Sequence, residues 1–227
     1  NMFRRLVGEG AFAHAFVPLF ARRLEGAGRA GALAFAEQAL AVMLAAMFVL
    51  LLAAELAMPW LISVLAPGFA ADPERFALTV ELTRITFPYL LFMALVALLG
   101  AVLNALLRFA AAAATPILLN ILLIAALFGL GHVLETPGHA LAWGVAAAGA
   151  GQFLFMLIAC RRAGAPLRLR RPRLTPGVRR LLVLMLPGLV GAGVHQINLL
   201  VSTIVASFED GAVSFLYYAD RLVQLPL

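Results

Sequence analysis

The sequence predicts an all-α integral membrane protein, a polytopic helical bundle. Hydrophobic residues make up 64% of the 227 positions and charged residues only 12%, against about 25% in an average soluble domain. Mean hydropathy is +1.01, and several apolar runs reach the roughly 20 residues that a bilayer-spanning helix needs. The alternating pattern of a membrane β-barrel is missing from those runs.

Seven apolar segments follow in order, at about 1–20, 32–65, 79–108, 115–132, 139–162, 178–208 and 212–227. The first break is expected at Arg22-Arg23-Leu24-Glu25-Gly26, where charge and glycine interrupt the run. Pro67-Gly68 through Asp72-Pro73-Glu74 makes the second, with an aspartate placed to cap a following helix. Arg108 to Pro116 forms the third and Glu135-Thr136-Pro137-Gly138 the fourth. A long basic stretch, 161–180, separates the fifth and sixth segments, and Glu209-Asp210-Gly211 separates the last two. Arg4, Arg5 and Glu9 lie inside the first segment, which is unlike a cleavable signal peptide. Both outer segments read as unfinished helices, so the chain is expected to be an internal fragment of a longer protein.

Loops between successive spans alternate sides, so their charges test the segmentation. Loops one, three and five carry twelve arginines against the single acid Glu25. Loops two, four and six carry Arg75 against five acids, Asp72, Glu74, Glu135, Glu209 and Asp210. The arginine side is therefore expected to face the cytoplasm. The pI near 10.9 is mostly this topology signal, and no nucleic-acid partner is expected, because the 161–180 loop has no aromatic residue to stack on a base. Contact with anionic membrane lipids is the next reading of that loop.

Charges left inside the apolar segments are costly unless they face a polar cavity or a partner. Glu37, Glu55, Glu81 and Arg84 lie near helix ends, where side chains reach the interface. In the first segment Arg5 and Glu9 stand four apart and can pair, leaving Arg4 on the side shared by Asn1 and Gly8. In the last, Tyr217, Asp220, Arg221 and Gln224 form one polar stripe at helical spacing. Arg5-Leu6-Val7 recurs as Arg221-Leu222-Val223, a weak echo of the repeated halves from which transporters are built. Pro88, and the cluster Pro187, Gly188, Gly191 and Gly193, are expected to kink their spans or admit close packing.

Enzyme chemistry finds no constellation. His14, His132, His139 and His195 are scattered without metal-ligand spacing, and no nucleophile motif or phosphate-cradling loop occurs. The lone Cys160 reads as a small buried residue, and His195-Gln196 with Asn198 as a polar helix face. Neither a cofactor nor a metal is expected.

Asn1-Met2-Phe3-Arg4-Arg5-Leu6 with Gly8-Glu9-Gly10-Ala11-Phe12, then Ala15-Phe16-Val17-Pro18, resembles the second-helix signature of the MurJ (MviN) lipid II flippases. Ala66-Pro67-Gly68-Phe69, Thr86-Phe87-Pro88-Tyr89, Pro116-Ile117-Leu118-Leu119-Asn120, Gln196-Ile197-Asn198, Ala206-Ser207-Phe208 and Tyr217-Tyr218-Ala219-Asp220-Arg221-Leu222 with Gln224-Leu225-Pro226-Leu227 extend the likeness in the family's order. The resemblance implies that the bundle is part of a two-lobe alternating-access transporter fold, with two six-helix lobes around a cavity: residues 1–177 belong to the N-terminal lobe, late helix two to helix six with its basic loop, and 178–227 begin the C-terminal lobe. It also implies a monomeric, multi-pass protein of the bacterial inner membrane, whose partners are membrane lipids and lipid II, the undecaprenyl-pyrophosphate-linked peptidoglycan precursor. Arg4 and Arg221 match family arginines that meet the pyrophosphate, with Asp220 adjacent. Arginine suits that task because its planar fork stays charged and bonds two oxygens at once. Asn1, Arg5, Glu9 and Gln224 complete the expected cavity. Ser202 stands where some members carry a sodium-associated carboxylate, so no sodium site is expected there. The alternatives are an exporter of another lipid-linked glycan, a drug antiporter, or a membrane scaffold that recruits partners through the 161–180 loop.

Overall fold

The computed structural model describes residues 11–134, 136–209 and 211–223, with backbone alone at 11, 189–195 and 221–223. Seven helical elements and one 3-10 turn make up the described chain: α1 Ala11–Leu65, the turn Pro67–Ala71, α2 Pro73–Thr86, α3 Tyr89–Ala105, α4 Phe109–Leu130, α5 Pro137–Arg162, α6 Pro176–Ala206 and α7 Ala212–Val223.

α1 is two helices joined at Gly28, whose φ of 67° and ψ of −176° no helix contains. Phe16 and Phe35 would lie about 28 Å apart along an unbroken helix. Their rings stack at 5.4 Å, so the chain doubles back and the arms 11–27 and 29–65 pack together. The expected break at Arg22–Gly26 is thus two residues early. Arg22, Arg23 and Glu25 are all compatible with helix, Gly26 stays helical, and Gly28 takes the positive φ, which a glycine adopts without strain. Arg23 then covers the Phe35 ring at 4.1 Å and donates to the Leu19 carbonyl.

The remaining elements keep the expected order. Asp72 caps α2, its carboxylate accepting from the Glu74 and Arg75 amides at 3.1 Å, with Pro73 at the first helical position. α2 and α3 form one kinked span because Pro88 has no N–H and separates Thr86 from Tyr89. In α4, Pro116 leaves the Ala112 carbonyl without its helical donor, and the Thr115 hydroxyl supplies one at 2.7 Å. α6, by contrast, stays helical through Pro187 and the following glycines, so that cluster does not interrupt its helical backbone.

The core joins both arms of α1 to α3, α5 and the start of α6. Phe12, Phe16, Phe20, Leu98, Leu99, Leu103 and Met156 are almost wholly inaccessible. Cys160 is buried among them, its thiol 3.7 Å from the Leu99 carbonyl, as the small-residue reading expects. Among the described residues, four helical stretches are long and apolar enough to cross a membrane, one of them the folded α1.

The alternation of loops is physical as well as statistical. Loops one and five meet where Arg29 donates to the Ala163 carbonyl at 2.6 Å, and loops three and five meet where Arg108 and Arg162 line one groove. At the opposite end, the Gly68 amide of loop two donates to Ser207 beside loop six at 3.0 Å. The arginine-rich loops therefore share one end of the bundle.

Two helix ends differ instructively. After α5, the amides of Gly164 and Ala165 bond back to Arg161 and Cys160, with Gly164 left-handed at φ 72°, the usual glycine-bearing stop. After α3, Leu107 and Arg108 make the same bonds to Asn104 and Leu103, but the left-handed residue is Leu107 at φ 59°. A leucine there costs about 1–2 kcal/mol relative to glycine.

Candidate functional site

Of the site residues expected from sequence, Asn1, Arg4, Arg5, Glu9 and Gln224 lie outside the described residues, and Arg221 is described only as backbone within α7. Asp220 is the member whose side chain is placed. It lies one helical turn after Tyr217, and both line a cavity of about 420 Å³ between α6, α7 and Leu65 at the end of α1. Tyr217 and Asp220 are two of the four residues of the polar stripe expected on the last segment, and these two face a cavity in the protein.

The opposite wall holds a residue that sequence reasoning assigned only to a polar helix face. Gln196 is 5% exposed, and its Oε1 has no hydrogen-bond partner among the described residues. Its neighbour Ile197 is 62% exposed, so the face turns within one residue. Thr203, on the same wall, spends its hydroxyl on the Leu199 carbonyl at 2.8 Å. Gln196 thus brings an amide oxygen to a cavity whose lining also carries Thr203, Tyr217 and Asp220 among apolar side chains. A buried amide oxygen without a donor is costly unless a ligand or water satisfies it.

The other charged residues of the apolar segments resolve into structural pairs. Arg84 lies 4.0 Å from Glu55 and reaches its carbonyl. Glu81 stands 3.4 Å from His139 Nε2 without hydrogen-bond alignment, while His139 Nδ1 meets Thr136 Oγ1 at 2.9 Å. Glu37 departs from its expected interfacial placement. It is 5% exposed, accepting from the Arg168 amide at 3.0 Å and from the Arg170 guanidinium, while Gln38 accepts from the Arg173 amide. The basic stretch after α5 is strapped to α1. The readable signal was charge complementarity between the Glu37-Gln38 pair and the arginine-rich loop. Gln152 was missed as well: it is 1% exposed and donates across the bundle to the Thr115 carbonyl at 2.7 Å.

At the opposite end, Gly68 packs so closely on Ser207 that an added Cβ would overlap the Ser207 carbonyl and the Phe208 amide. Ser207 is 2% exposed. Two of the resemblance motifs, Ala66-Pro67-Gly68-Phe69 and Ala206-Ser207-Phe208, therefore meet main chain to main chain.

Comparison with known proteins extends along the whole chain. A family model described as "Lipid II flippase MurJ" matches residues 1–227. The "Probable lipid II flippase MurJ" of Rhizobium meliloti is 48% identical over 231 residues, covering 100% of this chain and 43% of that protein. The "Lipid II flippase MurJ" of Burkholderia cenocepacia is 37% identical over 234 residues, covering 100% of this chain and 45% of the relative. A solved structure, "Lipid II flippase MurJ, inward closed conformation", superposes with a TM-score of 0.76 at 25% identity over 99% of this chain and 46% of its own. The chain spans less than half the length of these relatives.

Proposed function

The chain belongs to the lipid II flippase MurJ family, and from that premise we propose that its protein moves lipid II across the bacterial inner membrane by alternating access. The observation that carries the reading is the cavity of α6 and α7, where Asp220 lies next in sequence to Arg221 and opposite the unsatisfied Gln196. An acid and a tyrosine brought to one cavity wall together with a buried amide form the kind of intramembrane polar cluster that lines a substrate path.

In this reading residues 1–177 belong to one lobe and 178–227 begin the other, with the substrate headgroup held between them. Arg4 and Arg221 grip the pyrophosphate. Arg5 pairs with Glu9, and Asn1, Asp220 and Gln224 complete the polar lining. These five charged groups sum to +1, a small surplus that attracts a dianion in one state of the cavity and lets it leave in the other. Binding biases the two states only as far as the substrate's affinity for them differs. The protein acts as a monomer, with the arginine-rich end in the cytoplasm.

The test is complementation. Expressed in a bacterium depleted of its own lipid II flippase, the protein restores growth and the appearance of lipid II on the outer leaflet. Growth without lipid II on the outer leaflet would contradict the reading.

A further inference from the structure

Some arginines of the bundle are tied to protein partners. Arg23 covers Phe35, Arg29 holds the Ala163 carbonyl, Arg84 meets Glu55 and Arg170 meets Glu37. The guanidinium groups of Arg108 and Arg162, like those of several other exposed arginines, make no hydrogen bond or ion pair among the described residues, but these two come together. Both line one groove of about 720 Å³ between the α3–α4 turn and the last turns of α5. Its other walls are apolar, with Leu107, Phe109, Phe155 and Ile158 all open to the surroundings, and no acidic residue takes part.

The groove adjoins an apolar surface suited to lipid. α4 exposes Ile117, Ile121, Ile124 and Phe128 along its length, a continuous apolar surface leading away from the arginines. Leu107 gives a second, independent sign. The end of α5 shows that this stop is made with glycine, yet α3 keeps a leucine in the strained left-handed position, its side chain 77% exposed at the rim. Glycine would relieve the backbone but remove an apolar wall.

We propose that this groove is a binding site for an anionic phospholipid of the arginine-side leaflet, its phosphodiester held by Arg108 and Arg162 and one acyl chain lying along Leu107, Phe109 and Ile158. Two unpaired guanidinium groups supply the charge-assisted hydrogen bonds that a phosphodiester accepts, and the apolar walls suit an acyl chain, which a dissolved phosphate lacks. The site stands apart from the α6–α7 cavity and involves none of the residues proposed to grip the transported lipid.

Retention of phosphatidylglycerol by the purified protein, measured by native mass spectrometry, tests the assignment. Phosphatidylglycerol is expected to bind at least tenfold more tightly than phosphatidylcholine with the same chains. Arg108→Gln/Arg162→Gln removes that preference, whereas Arg171→Gln/Arg173→Gln, in the exposed linker, keeps it. Leu107→Gly, which eases the α3 stop and so retains or raises the melting temperature, weakens phosphatidylglycerol binding severalfold and covers the case of a double variant that folds poorly. Equal binding of the two lipids, loss of preference in the linker variant, or undiminished binding by the groove variants would overturn the site. So would competition by inorganic phosphate as strong as that by the lipid. Displacement of phosphatidylglycerol by equimolar undecaprenyl pyrophosphate would assign the groove to the transported lipid instead. Outer-leaflet lipid II is not read in any of these arms, so failure here leaves the proposed function to its own test.

Discussion

Glu37 and Gly68 each hold a contact that a single atom decides. Glu37→Ala removes an acceptor from the Arg168 amide and the Arg170 guanidinium, a charge-assisted loss of about 2 kcal/mol. The Arg170 side chain is half exposed, and water repays part of that loss when the pair is broken. The clearer readout is hydrogen exchange: amides of 165–175 should exchange at least tenfold faster in Glu37→Ala, while α3 and α5 remain unchanged. Protection equal to the unmodified protein would mean that the strap is held without Glu37. At the other end, Ser207→Ala deletes one hydrogen bond, worth about 1 kcal/mol. Gly68→Ala must push the Ser207 and Phe208 main chain away, so its melting temperature in detergent should fall further than that of Ser207→Ala. The reverse order would contradict the close approach of the two loops.

The helices themselves were largely legible because apolar runs and their punctuation are strong signals in a membrane chain. The Asp72-Pro73 start of α2, the Pro88 kink and the Thr136-Pro137 start of α5 all stand where turn and cap chemistry put them. The first hairpin was misplaced because Arg22, Arg23 and Glu25 signal the end of the apolar run, which is not the end of the helix. Only a residue able to take φ 67° reverses the chain, and Gly28 does so. Gly28→Ala is therefore expected to lower stability by about 1–2 kcal/mol, whereas Gly26→Ala, at a helical position with open space for a Cβ, should be neutral or stabilising. Equal melting temperatures for the two variants would contradict the hairpin. The site was legible in part. Asp220 and Tyr217 follow from the spacing of the stripe, but Gln196 does not, because neither its burial nor the cavity opposite can be read from its own helix.

The whole bundle gathers its basic loops at one end and its acidic loops at the other, a segregation the contacts between loops reproduce. In a Cys160→Ala background, a cysteine at Arg171 should react with an impermeant thiol reagent only when the cytoplasmic side is open, and one at His132 from the periplasm. Reaction of both from the same side would break the alternation of spans. The central claim is that arginines from the first and last segments hold a pyrophosphate, and substitution within the flipping assay tests it most directly. If Arg4 and Arg221 only brace helices, Arg→Lys is tolerated and Arg→Ala lowers the amount of folded protein. If they grip pyrophosphate, both substitutions abolish or strongly reduce lipid II on the outer leaflet while expression stays near that of the unmodified protein, because lysine keeps the charge and loses the two-oxygen geometry. The account predicts that second pattern at both positions; normal flipping by Arg4→Ala and Arg221→Ala would contradict it.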